Sequence, residues 1–305
     1  MITDTHTHLY LKEFAEDIDD VINRALNLRI NNFFLPAIDS SHTESMIALK
    51  TAYPKIMHLM AGLHPCSVKE NYLDELIHVK KVLENHPIVA IGEIGIDLYW
   101  DKSTLDIQKK AFISQIRLAK DLNLPIVIHC RDAFDEIFEI LETEKSDDLR
   151  GVFHCFTGSL QEANQILEFG FLLGIGGVVT FKNSGLDKVI EQIGLDSLVL
   201  ETDAPFLSPV PFRGKRNESS YLKYISIKVA DFKAKRITHY LNLMDIIVKE
   251  KFADFKTEIT ESKASLEHLK GRHPLGVFPA GEVSTYRDGK LIVDRPWEQG
   301  AIKLI

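Results

Sequence analysis

Eight short apolar segments alternate with amphipathic stretches in this chain of 305 residues, and this alternation restricts its fold more than any other feature. Most segments are continuously apolar, such as Ile126-Val127-Ile128, as expected of parallel strands covered on both faces. Between them, residues 107–119 place apolar side chains at three- and four-residue intervals, which predicts a helix. The predicted strands are residues 2–5, 32–38, 56–63, 88–94, 125–129, 151–155, 171–175 and 198–202.

Eight strand-and-helix units in about 230 residues predict an α/β fold, the (β/α)8 TIM barrel. The alternative is an open, doubly wound sheet. Metal-binding residue types end strands along the whole length of the chain. A barrel gathers the carboxyl ends of all its strands on one face, whereas an open sheet would scatter them, so we favour the barrel.

Histidine and carboxylate side chains end the predicted strands. His6 and His8 lie two positions apart in the first strand, so both imidazoles face the same way. Two neutral imidazoles buried side by side favour a divalent cation as their partner. Each further candidate alone has an ordinary structural explanation, but their shared position at one face predicts a single site. These further candidates are His64, Glu93, His129, His154 and Asp203.

This residue set suits two divalent ions that accept nitrogen and oxygen ligands, such as Mg2+, Mn2+ or Zn2+. Glu93, midway round the barrel, is the expected bridge, because one carboxylate can serve two ions roughly 3.5–4 Å apart. We expect hydrolysis of a phosphodiester by a water molecule that two metal ions activate, with Glu93 and Asp203 as catalytic carboxylates and Asp203 accepting the proton. One ion is predicted at His6, His8, Glu93 and Asp203, and the other at Glu93, His129 and His154.

Six short motifs surround these residues and carry a family resemblance. They are Asp4-Thr5-His6-Thr7-His8, Gly62-Leu63-His64-Pro65, Ile91-Gly92-Glu93-Ile94-Gly95-Ile96-Asp97, Ile128-His129-Cys130-Arg131, His154-Cys155-Phe156-Thr157-Gly158 and Leu200-Glu201-Thr202-Asp203-Ala204-Pro205. In order and spacing, residues 1–230 resemble the TatD family of metal-dependent deoxyribonucleases. The resemblance implies a TIM-barrel hydrolase of the amidohydrolase-like group, usually dependent on Mg2+ or Mn2+, that acts on ester bonds of DNA as a 3′-5′ exonuclease. It implies the metal ligands His6, His8, Glu93, His129, His154 and Asp203.

Other residues are predicted to contact a phosphate-bearing substrate. His64 ends the third strand, where the family places a residue that faces the substrate. Arg213, Arg216 and Asn217 follow the eighth strand, and loops after strands seven and eight often bind phosphate in barrels. A solvated basic loop is the alternative for these three residues.

Two aromatic residues, Tyr99 and Trp100, follow the fourth strand together with Asp97 and Asp101. Aromatic side chains at the mouth of a site can stack on a base. Covering the end of the barrel is their more frequent role. We therefore predict no catalytic role for these four residues.

Residues 234–305 are predicted to form an atypical α+β tail that follows the TatD-like barrel domain of residues 1–233. Phe278-Pro279-Ala280-Gly281 and Asp294-Arg295-Pro296-Trp297 resemble segments of lysophospholipid-acyltransferase-like proteins. The tail is interpreted as a fused or truncated fragment without acyl-transfer activity, and an extension that packs on the barrel is the alternative. Arg287-Asp288-Gly289-Lys290 predicts a turn between two short strands.

The bulk properties restrict location and partners. A net charge of -8 argues against sequence-independent electrostatic wrapping of nucleic acid, although metal ions can still contact phosphates locally. Three cysteines, no leader and no apolar run of membrane-spanning length favour a cytoplasmic protein. The expected partner is DNA or an oligonucleotide substrate, with no membrane and no obligate protein partner.

Two other functions compete with the nuclease. One is a different amidohydrolase-like reaction, such as hydrolysis of a cyclic amide or a lactone. Enzymes of that kind often bridge their metals with a modified lysine on strand four, where this chain has Glu93. The other is a fusion product that binds metal without turnover.

Overall fold

The computed structural model describes residues 2–234 and the pairs 286–287 and 290–291. In the first compact unit, Met1–Arg236, eight parallel strands form one sheet in sequence order. Each predicted strand corresponds to one observed strand. The strands are β1 Ile2–Asp4, β2 Ile30–Leu35, β3 Met57–Ala61, β4 Ile88–Asp97, β5 Ile126–Arg131, β6 Gly151–Phe153, β7 Leu172–Ile175 and β8 Leu198–Leu200.

The sheet curves until its first and last strands meet. The backbone N–H and the hydroxyl of Thr5 both donate to the carbonyl of Leu200, at 3.2 and 3.0 Å. Just beyond the strand ends, Thr7 and Ala204 form a parallel bridge. The predicted (β/α)8 barrel is therefore confirmed, and the open sheet is excluded.

Helices connect successive strands on the outside of the barrel. Their apolar faces pack on the sheet, where Phe33, Phe112, Phe153 and Phe171 are among the largest fully buried side chains. Burying such a side chain contributes about 1.5–3 kcal/mol. The helices are α1 Ile18–Asn27, α2 Thr43–Ala52, α3 Tyr72–Asn85, α4 Leu105–Asp121, α5 Phe134–Glu144, α6 Leu160–Glu168 and α7 Leu186–Gln192, followed by α8 at residues 222–234.

Two glutamines on the buried face of α4 bind backbone groups at the ends of strands. The side-chain amide of Gln108 accepts from the N–H of Asp97 at 2.8 Å and donates to its carbonyl at 3.1 Å. Gln115 makes the same pair of bonds with Leu63, at 2.7 and 3.3 Å. Helix α4 thus holds the segments that carry Asp97 and His64.

Strand β4 is longer than predicted and irregular. It extends to Asp97, and its register against β5 shifts between Ile91 and Ile94. Such a bulge re-aims a side chain, and here it falls at Glu93. Gly95 follows with a φ of 142°, and a Cβ there would lie 2.0 Å from the carbonyl oxygen of His129, so only glycine fits.

In the second unit, Ile237–Ile305, the structure describes one hairpin. Strand β9, Tyr286–Arg287, pairs antiparallel with β10, Lys290–Leu291. The two short strands predicted on either side of Asp288-Gly289 are therefore confirmed. The other expectations for residues 235–305 lie outside the described residues.

No helix among the described residues is long and apolar enough to cross a membrane.

We predict that Gly151→Ala strongly destabilises the barrel. A Cβ at this position would lie 1.9 Å from the carbonyl oxygen of Ile126 in the neighbouring strand, so β5 and β6 must separate. We expect a loss of at least about 3 kcal/mol in the free energy of unfolding, measured by urea denaturation. Gly170→Ala is the control, because its φ of 83° is strained but nothing lies within 4 Å, and we expect a loss of about 1–2 kcal/mol. Equal losses in the two variants would contradict the steric explanation.

Candidate metal centre

The buried carboxylate of Glu93 lies at the carboxyl end of the barrel, and each of its oxygens faces a different group of side chains. We call the group beside Oε2 the first cluster, which consists of His6, His8 and Asp203. Oε2 lies 3.2 Å from His6 Nε2 and 3.7 Å from His8 Nε2. Asp203 Oδ1 lies 3.7 and 3.4 Å from the same two nitrogens. The structure thus brings together the four residues predicted for one ion.

The second cluster surrounds Glu93 Oε1 and consists of His64, His129 and His154. His129 Nδ1 lies 2.7 Å from this oxygen, His154 Nε2 lies 2.8 Å away, and His64 Nε2 lies 3.2 Å away. The second predicted ligand group is therefore also assembled, with His64 added to it.

The chain itself places Asp203 in the first cluster. Its backbone N–H donates to the carbonyl of His6 at 2.9 Å, and its φ is 57°. Aspartate is one of the few residues that tolerate this left-handed conformation. The turn directs the carboxylate back over the end of β1, toward the two histidines of the first cluster.

Tyr10 determines which nitrogen of His8 carries the proton. The Tyr10 hydroxyl donates its one proton to the carbonyl of Pro36 at 2.5 Å. It must therefore accept from His8 Nδ1, which lies 2.8 Å away. Neutral His8 consequently presents the lone pair of Nε2 to Asp203.

Asp97 determines which nitrogen of His129 carries the proton. Its Oδ2 accepts from His129 Nε2 at 2.9 Å, so the lone pair of neutral His129 lies on Nδ1 and faces Glu93. Burial alone would raise the pKa of Asp97, but the hydrogen bond and charge of His129 lower it to about 2. Asp97 is therefore ionised at neutral pH.

In His64, unlike in His8 and His129, the nitrogen that faces Glu93 carries the proton of the neutral ring. Its Nδ1 accepts from the backbone N–H of Cys66 at 3.0 Å, so the proton of neutral His64 is on Nε2. This nitrogen points at Glu93 Oε1 as a donor. His64 is thus prepared to donate a hydrogen bond, whereas His8 and His129 are prepared to bind a cation.

This arrangement fits a metal ion. At His8 and at His129 a nitrogen lone pair of the neutral ring faces a carboxylate oxygen, and two acceptors facing each other repel unless a proton or a metal cation lies between them. The donor set of imidazoles and carboxylates is one that divalent first-row metals and Mg2+ accept. Three overlapping groups of potential ligand atoms occur here: His6, His8 and Asp203; His6, Glu93 and His154; and His64, Glu93 and His129.

The electrostatics favour an ionised Glu93. Burial raises the pKa of its carboxyl, but the neighbouring imidazoles of His154 and His64 outweigh burial and hold the pKa well below its ordinary value. Burial lowers the pKa of His6, and the ring of His154, stacked 3.9 Å from it, adds to this effect. His6 is therefore neutral and available as a ligand.

Glu201 lies behind the second cluster, fully buried. One of its oxygens accepts from the backbone N–H of Cys155 and lies 3.6 Å from His154 Nδ1. Gly174 makes room for it, because a Cβ there would lie 2.5 Å from the other carboxylate oxygen. Glu201 thus supports the outer side of the His154 ring.

Two residues predicted to bind substrate are already engaged by the protein. Arg216 forms two hydrogen bonds of 2.7 Å with the carboxylate of Asp17 in the turn before α1. Asn217 is fully buried, and its amide donates to the carbonyls of Thr202 and Phe206, both at 2.7 Å. These contacts stabilise the loop after β8 and use both N–H groups of the Asn217 amide, so they favour a structural role for the two residues. Contact of Arg216 or Asn217 with substrate stays a prediction.

Arg213 differs from its two neighbours. It is exposed, and its guanidinium carbon lies 3.7 Å from the centroid of the Phe181 ring. Stacking on a ring leaves the N–H groups in the guanidinium plane available. Contact between Arg213 and substrate stays a prediction.

Three supporting residues escaped the sequence analysis. Asp97 had a detectable signal, because it lies four positions after Glu93 and therefore shares its strand face. Glu201 lies two positions before Asp203 inside a quoted motif. Tyr10 gave no signal, because its role depends on the carbonyl of Pro36 from another strand.

A TIM barrel with histidines and carboxylates gathered at the carboxyl ends of its strands defines a metal-dependent hydrolase. The family model described as "TatD related DNase" matches residues 3–253, and the chain belongs to this family. The match extends 20 residues beyond the predicted end of the barrel domain at 233, and the acyltransferase-like resemblance of the tail finds no support in the comparisons.

Relatives cover most of the barrel. The chain is 41% identical over 234 residues to the uncharacterized metal-dependent hydrolase YabD of Bacillus subtilis, covering 76% of this chain and 91% of that protein. It is 31% identical over 241 residues to the "3'-5' ssDNA/RNA exonuclease TatD" of Pectobacterium parmentieri, covering 77% and 93%. The crystal structure of the TatD homolog YJJV from Escherichia coli superposes with a TM-score of 0.72 at 29% identity, covering 79% and 95%.

We predict that Tyr10→Phe weakens metal binding without unfolding the barrel. Without the hydroxyl, His8 Nδ1 loses its acceptor, and both tautomers of the ring become accessible. We expect about a tenfold loss of Mn2+ affinity in calorimetric titration. Tyr53→Phe is the matched control, because it removes a hydroxyl that donates to Asp19, away from the centre. Equal affinity in the two variants would show that Tyr10 does not orient His8.

We predict that metal binding stabilises the fold. An ion that binds only the folded state at a hundred times its Kd adds about 2.7 kcal/mol, so Mn2+ should raise Tm by several degrees and EDTA should reverse the rise. Glu93→Ala should abolish the shift, because both clusters lose their shared carboxylate. Glu139→Ala, which removes an exposed carboxylate paired with Lys109, should retain it. A shift of wild-type size in Glu93→Ala would place the ions elsewhere.

Proposed function

We propose that this hydrolase cleaves phosphodiester bonds of DNA and releases nucleotides from the 3′ end, using two divalent ions, Mg2+ or Mn2+. The observation that carries the proposal is the position of Glu93, whose two oxygens face two separate groups of metal-binding side chains. Two ions that share a carboxylate suit displacement at phosphorus. Family membership and the relative named as a 3'-5' ssDNA/RNA exonuclease support the same reaction.

We assign the ligands by the tautomers. His8 and His129 present lone pairs toward the carboxylates, whereas His64 presents a proton. The first ion would be held by His6, His8, Glu93 and Asp203, and the second by Glu93, His129 and His154. His64 then donates a hydrogen bond to a phosphate oxygen of the substrate, the role predicted from its position in the chain.

When bound, the ions polarise the attacking water and offset the charge that develops on the phosphate oxygens. The chain supplies the proton acceptor. Burial raises the pKa of Asp203, but the neighbouring imidazole groups of His8, His154 and His6 outweigh burial and hold the pKa below its ordinary value, so the carboxylate is ionised at neutral pH. Its side chain is 12% exposed, so its free oxygen is accessible to water. Asp203 accepts the proton of that water and releases it to solvent.

The net charge of the chain also opposes binding along the length of a polynucleotide. The net charge of -8 repels the length of a polynucleotide, so affinity must come from the ions and from a few local donors. This suits an enzyme that holds one end of a strand. It does not suit a protein that wraps many nucleotides.

The test is nucleotide release from 3′-labelled single-stranded DNA with Mg2+ or Mn2+, compared with EDTA. We expect metal-dependent release that falls at least about 100-fold in both Glu93→Ala and Asp203→Asn. The first variant removes the shared carboxylate, and the second removes the negative charge and the proton acceptor. The exposed-site variant Glu139→Ala should retain wild-type activity.

No release by a folded, metal-loaded protein would overturn the nuclease. Hydrolysis of a lactone or a cyclic amide by that protein would then favour the amidohydrolase-like alternative. Metal binding without any turnover would favour a non-catalytic fusion product.

A further inference from the structure

A cleft of about 680 Å³ lies beside the second cluster. One side is formed by Cys130, Arg131 and Asp132, which directly follow His129 in the chain. The other side is formed by residues 157–159, which begin three positions after His154. A substrate whose phosphate lies at the metal centre would therefore place an adjacent nucleoside at the opening of this cleft.

Exposed aromatic residues and an arginine stacked on one of them lie at the edge of the cleft. The guanidinium carbon of Arg131 lies 3.7 Å from the centroid of the Tyr99 ring and 5.5 Å from that of Trp100. Tyr99 is 54% exposed and Trp100 is 72% exposed. Large aromatic side chains this exposed are uncommon, and an arginine stacked on an aromatic ring offers a platform on which any base can stack.

This platform is tied to the metal centre. Asp97 Oδ1 accepts from the backbone N–H groups of Tyr99 and Trp100, at 3.0 and 3.3 Å. Its other oxygen holds His129, as described above. One carboxylate therefore fixes both a metal ligand and the aromatic turn, which sets the distance between the reacting phosphate and a stacked base.

The interior of the cleft is acidic. Asp132, Asp135 and Glu136 line it, and none of their carboxylates has a hydrogen-bond or ion-pair partner within residues 2–234. Such a lining repels a phosphate and accepts hydrogen bonds. The exocyclic amino groups of cytosine and adenine are donors, whereas thymine and uracil present a carbonyl at the corresponding position.

We propose that this cleft binds the nucleobase next to the scissile phosphate, with Tyr99 and Arg131 as the stacking platform and with the acidic lining favouring bases that carry an amino group. The proposal rests on the nuclease function given above. It adds a base preference to a reaction whose chemistry occurs entirely at the phosphate.

The test is equilibrium binding rather than turnover, so that its outcome is separate from that of the nuclease assay. Short, fluorescein-labelled, single-stranded phosphorothioate oligomers resist cleavage, and anisotropy reports their affinity in Mg2+. Oligo-deoxycytidine and oligo-deoxyuridine form the matched pair, because their bases have the same ring and size and differ in the 4-amino or 4-carbonyl group and in the proton on N3. We expect about tenfold tighter binding of the cytidine oligomer to the wild-type protein.

Variants separate stacking from hydrogen bonding. Tyr99→Ala should weaken both oligomers about tenfold, and Tyr99→Phe should restore the affinity, because the ring and not the hydroxyl stacks. The double variant Asp135→Asn, Glu136→Gln should bring the cytidine-to-uridine ratio close to one, since amides both donate and accept. A Mn2+ titration of each variant checks that the metal clusters are intact.

Equal affinity of the wild-type protein for the two oligomers would overturn the base preference. Unchanged affinity in Tyr99→Ala would overturn the platform. Base-dependent binding with no nucleotide release in the nuclease assay would uphold the cleft and overturn the proposed reaction, whereas release without base-dependent binding would do the reverse.

Discussion

The carboxylate of Glu93 is the group on which the rest of the centre depends. It is buried where neither oxygen meets bulk water, so its charge must be balanced by what the barrel brings to it. Strand β5 and the segments directly after β1, β3 and β6 deliver imidazole nitrogens, and the segment after β8 adds a second carboxylate. The bulge in β4 and the absent side chain at Gly95 direct Glu93 to this position. The negative charge of Glu93 is thus offset in part by the histidines of the barrel. Bound metal cations would offset the rest.

Hydrogen bonds outside the centre decide what each histidine can do there. Tyr10, Asp97 and the backbone of Cys66 each bind the far side of an imidazole and so choose the tautomer. The distance from Glu93 to the inner nitrogen of His64, 3.2 Å, lies between the distances to His129, 2.7 Å, and to His8, 3.7 Å. Distance alone therefore does not separate a metal ligand from a hydrogen-bond donor. The hydrogen-bond partner on the far side of each ring separates the two roles. That partner is an acceptor for His129 and a donor for His64.

The sequence predicts the frame well, because the frame depends on local pattern. All eight strands and the two clusters of histidines and carboxylates follow from apolar runs and from the residues that end them. The contacts that the sequence does not predict are those whose partner lies far away in the chain. Arginine is a residue type that often contacts phosphate, but the structure pairs Arg216 with Asp17, 199 positions earlier. Asn217 and Tyr10 likewise depend on backbone carbonyls of other segments, and nothing in a strand or helix pattern reveals which carbonyl will lie opposite.

The two glutamines of helix α4 restrict how the length of this helix can vary. Gln108 and Gln115 lie two turns apart on one face and bind the backbones of Asp97 and Leu63. Inserting or deleting one residue between them would rotate one amide by about 100° relative to the other. Either the segment before His64 or the end of β4 would then lose its partner, even if every apolar contact of the helix were rebuilt. The length of α4 between these two residues is therefore constrained by polar groups, whereas changes in length elsewhere on the outer surface face no such restriction from this pair.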